Sequence, residues 1–432
     1  MTYEEAIAWL DQRVNREAVP APEAAFKLEG VRALMTVMGD PQQQYPVLHI
    51  TGTNGKTSAA RILTALLEAK GLSVGTFTSP HLERVNERMS WNGEPISDGA
   101  FAEVVGALAE LEALIDHMPT WFELITAAAL RWFADIAVDV AVVEVGLGGR
   151  FDATNVADGS VAVVTNVALD HLEFIGPTRE DIAFEKAGVV KPGATLVLGE
   201  TDPGLVPIFE REGAATTWLR NEDFACIANA VAHGGRLLDL RTPGATYDAV
   251  YLPLHGAHQG DNAAIALAAA EAFFGEPLTP EVVAEGLATV RSPGRMEIVG
   301  RRPLVVLDGA HNAAGARAAA ATLDEEFSSA SGRVIVFGCF AGKDPVELLR
   351  ALGAEQARLV VACPPPWPRA LPAADIVDAA KSLGAEAVPA TSVAEALSLA
   401  VDAAHVDDLV LVTGSLYLVG AARAVLASPD HG

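Results

Sequence analysis

The stretch with the clearest chemical potential is VLHITGTNGKTSAARILTALLEAKG, from Val47 to Gly71. It sets Gly52, Thr53, Asn54, Gly55, Lys56, Thr57 and Ser58 between an apolar run, Val47 to Ile50, and a segment where Ile62, Leu63, Leu66 and Leu67 recur at helical spacing. A strand, a glycine loop and a helix start, in that order, aim backbone N–H groups and the positive helix end at one point, with Lys56 in reach of an anion there. The spacing predicts a polyphosphate site. The match to the full loop G-x-x-x-x-G-K-[ST] is shortened, because Ile50 stands where the first glycine would be. In a chain with 38 glycines the same pattern also occurs as a turn without a ligand, so other residues must discriminate.

Glu144 ends the apolar run DVAVVEVGLGGR, where an unpartnered charge is costly. A magnesium ion opposite the hydroxyl of Thr57 or Ser58, a salt bridge to Arg150, or a place capping the following turn would offset that cost. His171 follows the next apolar run at the same sheet edge, as a structural group or a metal ligand. Thr178 and Asp181 have capping-box spacing ahead of a helix closed by Gly188, which puts Lys186 in the last turn, where the helix dipole favours a cation. In PLVVLDGAHNAAG, Asp308 and His311 directly follow a further apolar run, with Asn312 and Gly315 beyond. They read as turn and cap chemistry, or as groups facing the phosphate loop across a cleft.

These residues need elements to hold them. Strands are expected at Val47 to Ile50, Ser73 to Thr78, Val138 to Val145, Val161 to Val167 and Thr195 to Leu198, alternating with helices. Such alternation implies α/β architecture with a mainly parallel sheet covered on both faces. Turn chemistry at Ser292, Pro293 and Gly294 interrupts the pattern, which restarts at Leu304 to Leu307, Val334 to Phe337, Leu359 to Ala362 and Leu409 to Thr413. The expected division is a phosphate-loop domain over 1–293 and a smaller Rossmann-like α/β domain over 294–432. Residues 201–251 carry no clear pattern beyond surface strands and loops.

With 432 residues, half of them hydrophobic, the chain can bury sizeable cores. Its formal charge of -26, dispersed along the sequence, disfavours nucleic acid as a partner and requires local cations to draw in an anionic substrate. Lys56, Arg84, Arg88 and Arg150 are candidates. Cys226, Cys339 and Cys363 lie far apart and predict neither a disulfide framework nor a zinc site. No apolar stretch predicts a membrane span, and the acidic N-terminus predicts no signal peptide, so a cytoplasmic monomer is expected.

Taken together, the motifs resemble the folylpolyglutamate synthase and dihydrofolate synthase family of the Mur ligase superfamily. The resemblance runs nearly end to end, through GTNGKTS, TSPHLERVNERMSWNGEPISD from Thr78, WFELITAAA from Trp121, EVGLGGRFDATN, LDHLEFIGPTREDIAFEKAGVVKPG, HQGDNAAIA, GRMEI, DGAHNAAG and GSLYLVG. It implies ATP-dependent addition of L-glutamate to a carboxylate of dihydropteroate or of a folate. It also implies that Lys56 and the loop amides hold the β- and γ-phosphates. Two magnesium ions would fall on the loop hydroxyl of Thr57 or Ser58, on Ser79, Glu144 and His171. Asn262, Arg295, Asp308 and His311 match nucleotide contacts, and Phe122, Asp152 and Ala153 match the pterin pocket. The lysine matching Lys186 is carbamylated in that family, so resemblance reverses the simple dipole reading of this residue.

Two departures stand out. Thr57 occupies a position where many members have glycine, as in the Mur branch, which leaves open whether Thr57 or Ser58 meets the metal. Gly342 in FGCFAGKDP replaces a frequent acidic residue, which leaves Lys343 and Asp344 with no assigned role beyond weak candidacy. A peptidoglycan-building Mur ligase is the nearest rival, but only about fifty residues precede Gly52, fewer than a usual extra domain needs. A non-catalytic ATP-binding relative would have no need for Glu144, His171, Lys186, Asp308 and His311 together. Substrate choice between dihydropteroate and folate, tail length and the glutamate-binding residues are not legible.

Overall fold

The structure, a computed structural model, describes residues 1–18, 28–115 and 119–427. Its strands are β1 (Val47–Thr51), β2 (Val74–Phe77), β3 (Met89–Trp91), β4 (Glu94–Pro95), β5 (Val140–Glu144), β6 (Val161–Val164), β7 (Thr195–Leu198) and β8 (Thr216–Leu219). They form one sheet in the order β4-β3-β2-β5-β1-β6-β7-β8. All neighbours from β2 to β8 pair in parallel, and only the short edge strands β3 and β4 run antiparallel. This is the mainly parallel α/β sheet that the alternation predicts.

The central strand β1 is buried along its whole length and shows why both faces are covered. Side chains alternate between faces. Leu48 and Ile50 pack with the helices Lys56–Ala69 and His258–Phe274, while Val47 joins Phe77, Val143 and the helix Trp121–Asp135 on the other side. Twelve residues of His258–Phe274 are buried, and its run of alanines lets it lie close to the sheet and to Lys56–Ala69.

Several expected strands are shorter than their apolar runs. Val161 to Val167 yields a strand only to Val164, because Thr165, Asn166 and Ala168 turn away to bond the phosphate loop. Likewise β5 starts at Val140, since Asp139 and Val140 both donate to the Ser73 carbonyl at the strand entrance. Within residues 201–251 lie β8 and three antiparallel strands, β9 (Ala225–Ala232), β10 (Gly235–Arg241) and β11 (Thr246–Leu252). Their outer positions are exposed, as expected of surface strands, but Leu238, Leu240, Tyr247 and Leu252 pack into the core around Leu48 and Ile50, and β8 extends the parallel sheet, so the region is more than surface.

The last sheet holds β12 (Glu297–Arg301), β13 (Leu304–Asp308), β14 (Arg333–Phe337), β15 (Leu359–Ala362), β16 (Ala387–Pro389) and β17 (Leu409–Thr413), in the order β12-β13-β17-β14-β15-β16. Only β12 is antiparallel to its neighbour. Two apolar clusters cover its faces, one around Ile335, Phe337 and Leu411, the other around Val334, Val336 and Val412. Among the described residues no helix is long and apolar enough to cross a membrane.

A buried ionic cluster ties the antiparallel sheet to the last one. Arg236 on β10 is bonded to Glu325 Oε2 (3.0 Å) and Glu326 Oε1 (2.8 Å) at the end of the helix Ala313–Glu326, and Glu326 also accepts from His255 and the Gly256 N–H. Breaking one partner of a buried pair leaves the other without its counter-charge. Arg236→Ala is therefore expected to destabilise the protein by about 3 kcal/mol, read as a lower urea midpoint than wild type; an unchanged midpoint would contradict this role.

Candidate active site

The phosphate loop follows β1 without a spare residue. Gly52 has φ +151° and Gly55 φ +82°, and a Cβ on them would lie 1.8 Å from Thr165 Oγ1 and 2.4 Å from Asn262 Oδ1. Glycine is thus required at both points, by backbone conformation and by contact. Asn54 is held by Thr165 Oγ1 and Asn166 Nδ2, which donate to its carbonyl at 2.6 and 3.0 Å, and its own N–H donates to Asn166 Oδ1. The first helical bond runs from the Ala59 N–H to the Gly55 carbonyl, so the N–H groups of Lys56, Thr57 and Ser58 precede the helical ladder. Lys56 Nζ folds onto the carbonyls of Gly52 (3.0 Å) and Thr53 (3.2 Å). Burial lowers its pKa, with Glu144 and Asp170 opposing.

Glu144 at the end of β5 is fully buried and accepts from Thr57 Oγ1 (3.0 Å) and, more distantly, the Ser79 N–H (3.4 Å). Burial raises its carboxyl pKa despite the proximity of Lys56. Arg150, the alternative partner, instead pairs with Glu212 and lies over the Phe184 ring at 4.1 Å. The carboxylate, with hydroxyls beside it, makes a hard oxygen donor set that suits magnesium. Ser58 is buried one residue further into the helix.

Lys186 lies in the last turn of the helix Arg179–Ala187, whose capping box from Thr178 and Asp181 and C-cap at Gly188 form as the spacing predicts. Its side chain is buried, and desolvation, joined by repulsion from Lys56, holds its pKa well below the ordinary lysine range. Small residues let the loop after β5 reach this helix. A Cβ on Gly149 would sit 2.9 Å from the Glu185 carbonyl and one on Gly188 2.4 Å from Arg150 Cα.

Above these groups opens a cavity of about 950 Å³ between the two parallel sheets. Of the sequence-predicted residues, Ser79, Phe122, Asp152, Ala153, His171 and His311 line it. Phe122 packs on Gly146, where a Cβ would lie 2.5 Å from the ring, and Asp152 accepts from the Leu147 N–H at 2.9 Å. Phe151, Leu169 and Phe340 add apolar wall. The cationic lining differs from expectation: Arg88 is buried against Glu17, Arg84 pairs with Asp98, and Arg150 with Glu212. Arg179, Arg317, Lys343 and Arg369 face the cavity instead.

Of the remaining predicted residues, Asn262 meets the loop, whereas Arg295 and Asp308 contact the turn around Gly309. Asn262 touches Gly55, and Arg295 lies against Gly309, where a Cβ would come within 2.2 Å of Nη1. Asp308 accepts from the N–H groups of Met296 (3.0 Å) and Ala310 (2.9 Å), so turn chemistry occupies both of its oxygens. His171 is grouped with Asp170 and His311, within a cluster whose ligand atoms lie within 4.8 Å of one another, rather than with Glu144. Partial burial lowers the His171 pKa, with Asp170 opposing.

Sequence reading missed Asp170. This buried carboxylate accepts from Asn312 Nδ2 (2.9 Å) and Lys343 Nζ, and His311 Nε2 stands 3.4 Å away. Burial opposes its ionisation, but His171, His311 and Lys343 outweigh it and hold the pKa well below the usual carboxyl range. Asn312 Nδ2 is also 2.9 Å from Asn54 Oδ1. The available signal was position: Asp170 directly precedes His171, just past a strand end.

Known proteins give this geometry its context. Residues 50–270 match the Mur ligase middle domain and residues 294–416 the Mur ligase glutamate ligase domain. The chain is 41% identical over 351 residues to a dihydrofolate synthase/folylpolyglutamate synthase of Mycobacterium tuberculosis, covering 74% of this chain and 72% of that protein. It is 35% identical to a folylpolyglutamate synthase of Lacticaseibacillus casei over 99% of each chain. A solved Mycobacterium tuberculosis folylpolyglutamate synthase complexed with ADP superposes with a TM-score of 0.92 at 37% identity, covering 99% of this chain and 98% of that one. With that agreement over nearly the whole length, in sequence and in fold, the chain belongs to the folylpolyglutamate synthase/dihydrofolate synthase family of Mur ligases.

Proposed function

We propose that the chain is an ATP-dependent ligase that joins the amine of L-glutamate to a carboxylate of dihydropteroate or of a folate, releasing ADP and phosphate. The observation that carries this reading is the phosphate loop with Lys56, joined through the Asn54–Asn312 contact to the lining of a cavity to which both domains contribute aromatic and apolar wall. A carboxylate and an ammonium do not condense in water, because hydroxide is a poor leaving group. Transfer of the γ-phosphoryl group to the carboxylate makes an acyl phosphate, and attack by the glutamate amine then expels phosphate. Lys56 and the N–H groups of residues 56–58 stabilise the phosphate oxygens. Closure between the sheets keeps water from the acyl phosphate.

Magnesium would supply charge neutralisation at the phosphate oxygens; Thr57, Ser79 and Glu144 would hold one ion, and His171, which groups with Asp170 and His311, would serve a second. Thr57 rather than Ser58 supplies the hydroxyl, because it already contacts Glu144. Asn262, Arg295, Asp308 and His311 serve the nucleotide, while Phe122, Asp152 and Ala153 serve the pterin. We place the division at 1–293 and 294–432, with Ser292 to Gly294 as the hinge. One chain supplies both cavity walls, which supports a monomer as the active unit, working in the cytoplasm.

Mass spectrometry of products formed from ATP, magnesium and L-glutamate tests the reading, with dihydropteroate and tetrahydrofolate offered separately. Glutamyl addition to at least one acceptor is expected, and which one defines the synthase type; addition to neither would remove the folate assignment. Lys56→Ala is expected to lower turnover by on the order of 10³-fold with an unchanged circular dichroism spectrum, and normal turnover by the folded variant would end the role given to Lys56.

Lys186 carries a further expectation. Its lowered pKa makes the free amine more accessible, and that is the form that adds carbon dioxide, losing a proton to give a carbamate anion. Protein stripped of bicarbonate is expected to lose activity and regain it on adding bicarbonate, with a ¹³C carbamate signal that Lys186→Gln lacks. Full activity without that signal would return Lys186 to a plain buried lysine.

A further inference from the structure

One buried residue that the reaction does not use directly bears on how the cavity is tuned. His49 sits in the middle of β1, wholly inaccessible to solvent. It shares a strand face with Thr51, and both reach the same loop: Thr51 Oγ1 donates to the Gly148 carbonyl (2.7 Å), and His49 Nε2 lies 2.9 Å from Thr154 Oγ1. Thr154 Oγ1 is in turn 2.5 Å from Asp152 Oδ1, and the Thr154 N–H donates to the same oxygen at 3.0 Å. A central strand of a parallel sheet normally carries apolar side chains on both faces. Here two polar ones peg the loop that lines the cavity.

The hydroxyl of Thr154 has one proton to give. If it goes to Asp152, the imidazole must donate from Nε2, leaving Nδ1 bare, and Nδ1 indeed has no partner among the described residues. The reverse arrangement needs a protonated Asp152 and leaves a buried Nδ1–H with nothing to bond. It would also set a neutral acid where the Leu147 and Thr154 N–H groups both donate to the carboxyl oxygens, bonds that oppose the upward push of burial on the Asp152 pKa. An orphaned donor is the costlier of the two.

We propose that His49, as its Nε2–H tautomer, is a positioning residue that acts through Thr154 to hold Asp152 as a fixed, ionised acceptor for a donor-bearing edge of the bound heterocycle. The role assigned to Asp152 rests on the function proposed above; the proton arrangement does not. Burial and the nearby Lys191 bring the His49 pKa down to about 3, which keeps the ring neutral under assay conditions.

Long-range ¹H–¹⁵N correlation spectra of the full chain with ¹⁵N-labelled histidine, assigned through the resonance missing from His49→Gln, decide the tautomer without substrate. Nε2 protonated and Nδ1 bare is expected; Nδ1 protonated overturns the proposal. Kinetics then test the consequence. Glutamine can present an N–H near Nε2, so His49→Gln should keep the KM for dihydropteroate near wild type, whereas His49→Phe, and separately Thr154→Val, should raise it about tenfold without moving the KM for ATP. Equal effects of Gln and Phe, or an equal rise in both KM values, would mean that the ring only fills space. If His49→Phe does not fold, the tautomer and Thr154→Val still decide the matter. If no pteroate acceptor is turned over, the tautomer alone is read, separating failure of this proposal from failure of the assigned function.

Discussion

The phosphate loop can exist in this shape only because nothing projects from Gly52 or Gly55, and much of the site follows from that constraint. With no side chain at Gly52, Thr165 closes on the loop, and residues 165–168 leave β6 to bond Thr53 and Asn54. The same segment continues to Asp170, which receives Asn312 and Lys343 from loops that follow β13 and β14. Asn312 also contacts Asn54 directly. Nucleotide loop and second domain therefore share one chain of hydrogen bonds, so a shift at either end must be accommodated at the other. Under the proposed reaction this chain of contacts would link phosphate binding at the loop to enclosure of the cavity, which a hydrolysable intermediate needs.

A net charge of -26 is ill matched, on average, to a site for ATP, a folate and glutamate, all of them anions. The structure resolves this locally. Arg84 and Arg150 are neutralised by carboxylate partners away from the cavity, Asp98 and Glu212 respectively. A different group, Lys343, Arg317, Arg369 and Arg179, lines the cavity itself. Three of these also have carboxylate partners, Asp170 for Lys343, Glu173 for Arg369, and Glu200 with Asp202 for Arg179, so an anion entering the cavity meets cations already positioned by ion pairs, and where the cations are held matters more than the average charge of the chain.

Much of this was legible from residue types and spacing. Apolar runs located β1, β2, β5, β6 and β7 of the large sheet but not its parallel edge strand β8, and the shortened loop, Glu144 and the cap at Thr178 each fell where the physics of strand ends and helix starts puts them. What could not be read depends on contacts between distant segments. The two-residue edge strand Glu94–Pro95 has no periodicity to detect. The Arg236 cluster unites residues some ninety positions apart. Asp170 looks in sequence like an ordinary loop acid, because its partners Asn312 and Lys343 come from the other domain. His49 reads as one polar residue in an apolar strand, and only the folded loop shows that it faces Thr154.

The opposed shifts of Glu144 and Lys186 tie these levels together. Burial pushes a carboxyl up and a lysine down, and each is seen here within one site. Direct pairing would relieve both groups, yet Glu144 is bonded to Thr57 and the Ser79 N–H, and Lys186 takes its main repulsion from Lys56. Two ionisable groups held apart in a dry interior, each disfavoured in its charged form, are a poor way to stabilise a fold and a common way to build a reactive centre. A cation beside Glu144 and loss of the positive charge on Lys186 would relieve both distortions at once. The same energetics that make the separated pair unfavourable would thus favour binding metal and modifying the lysine together.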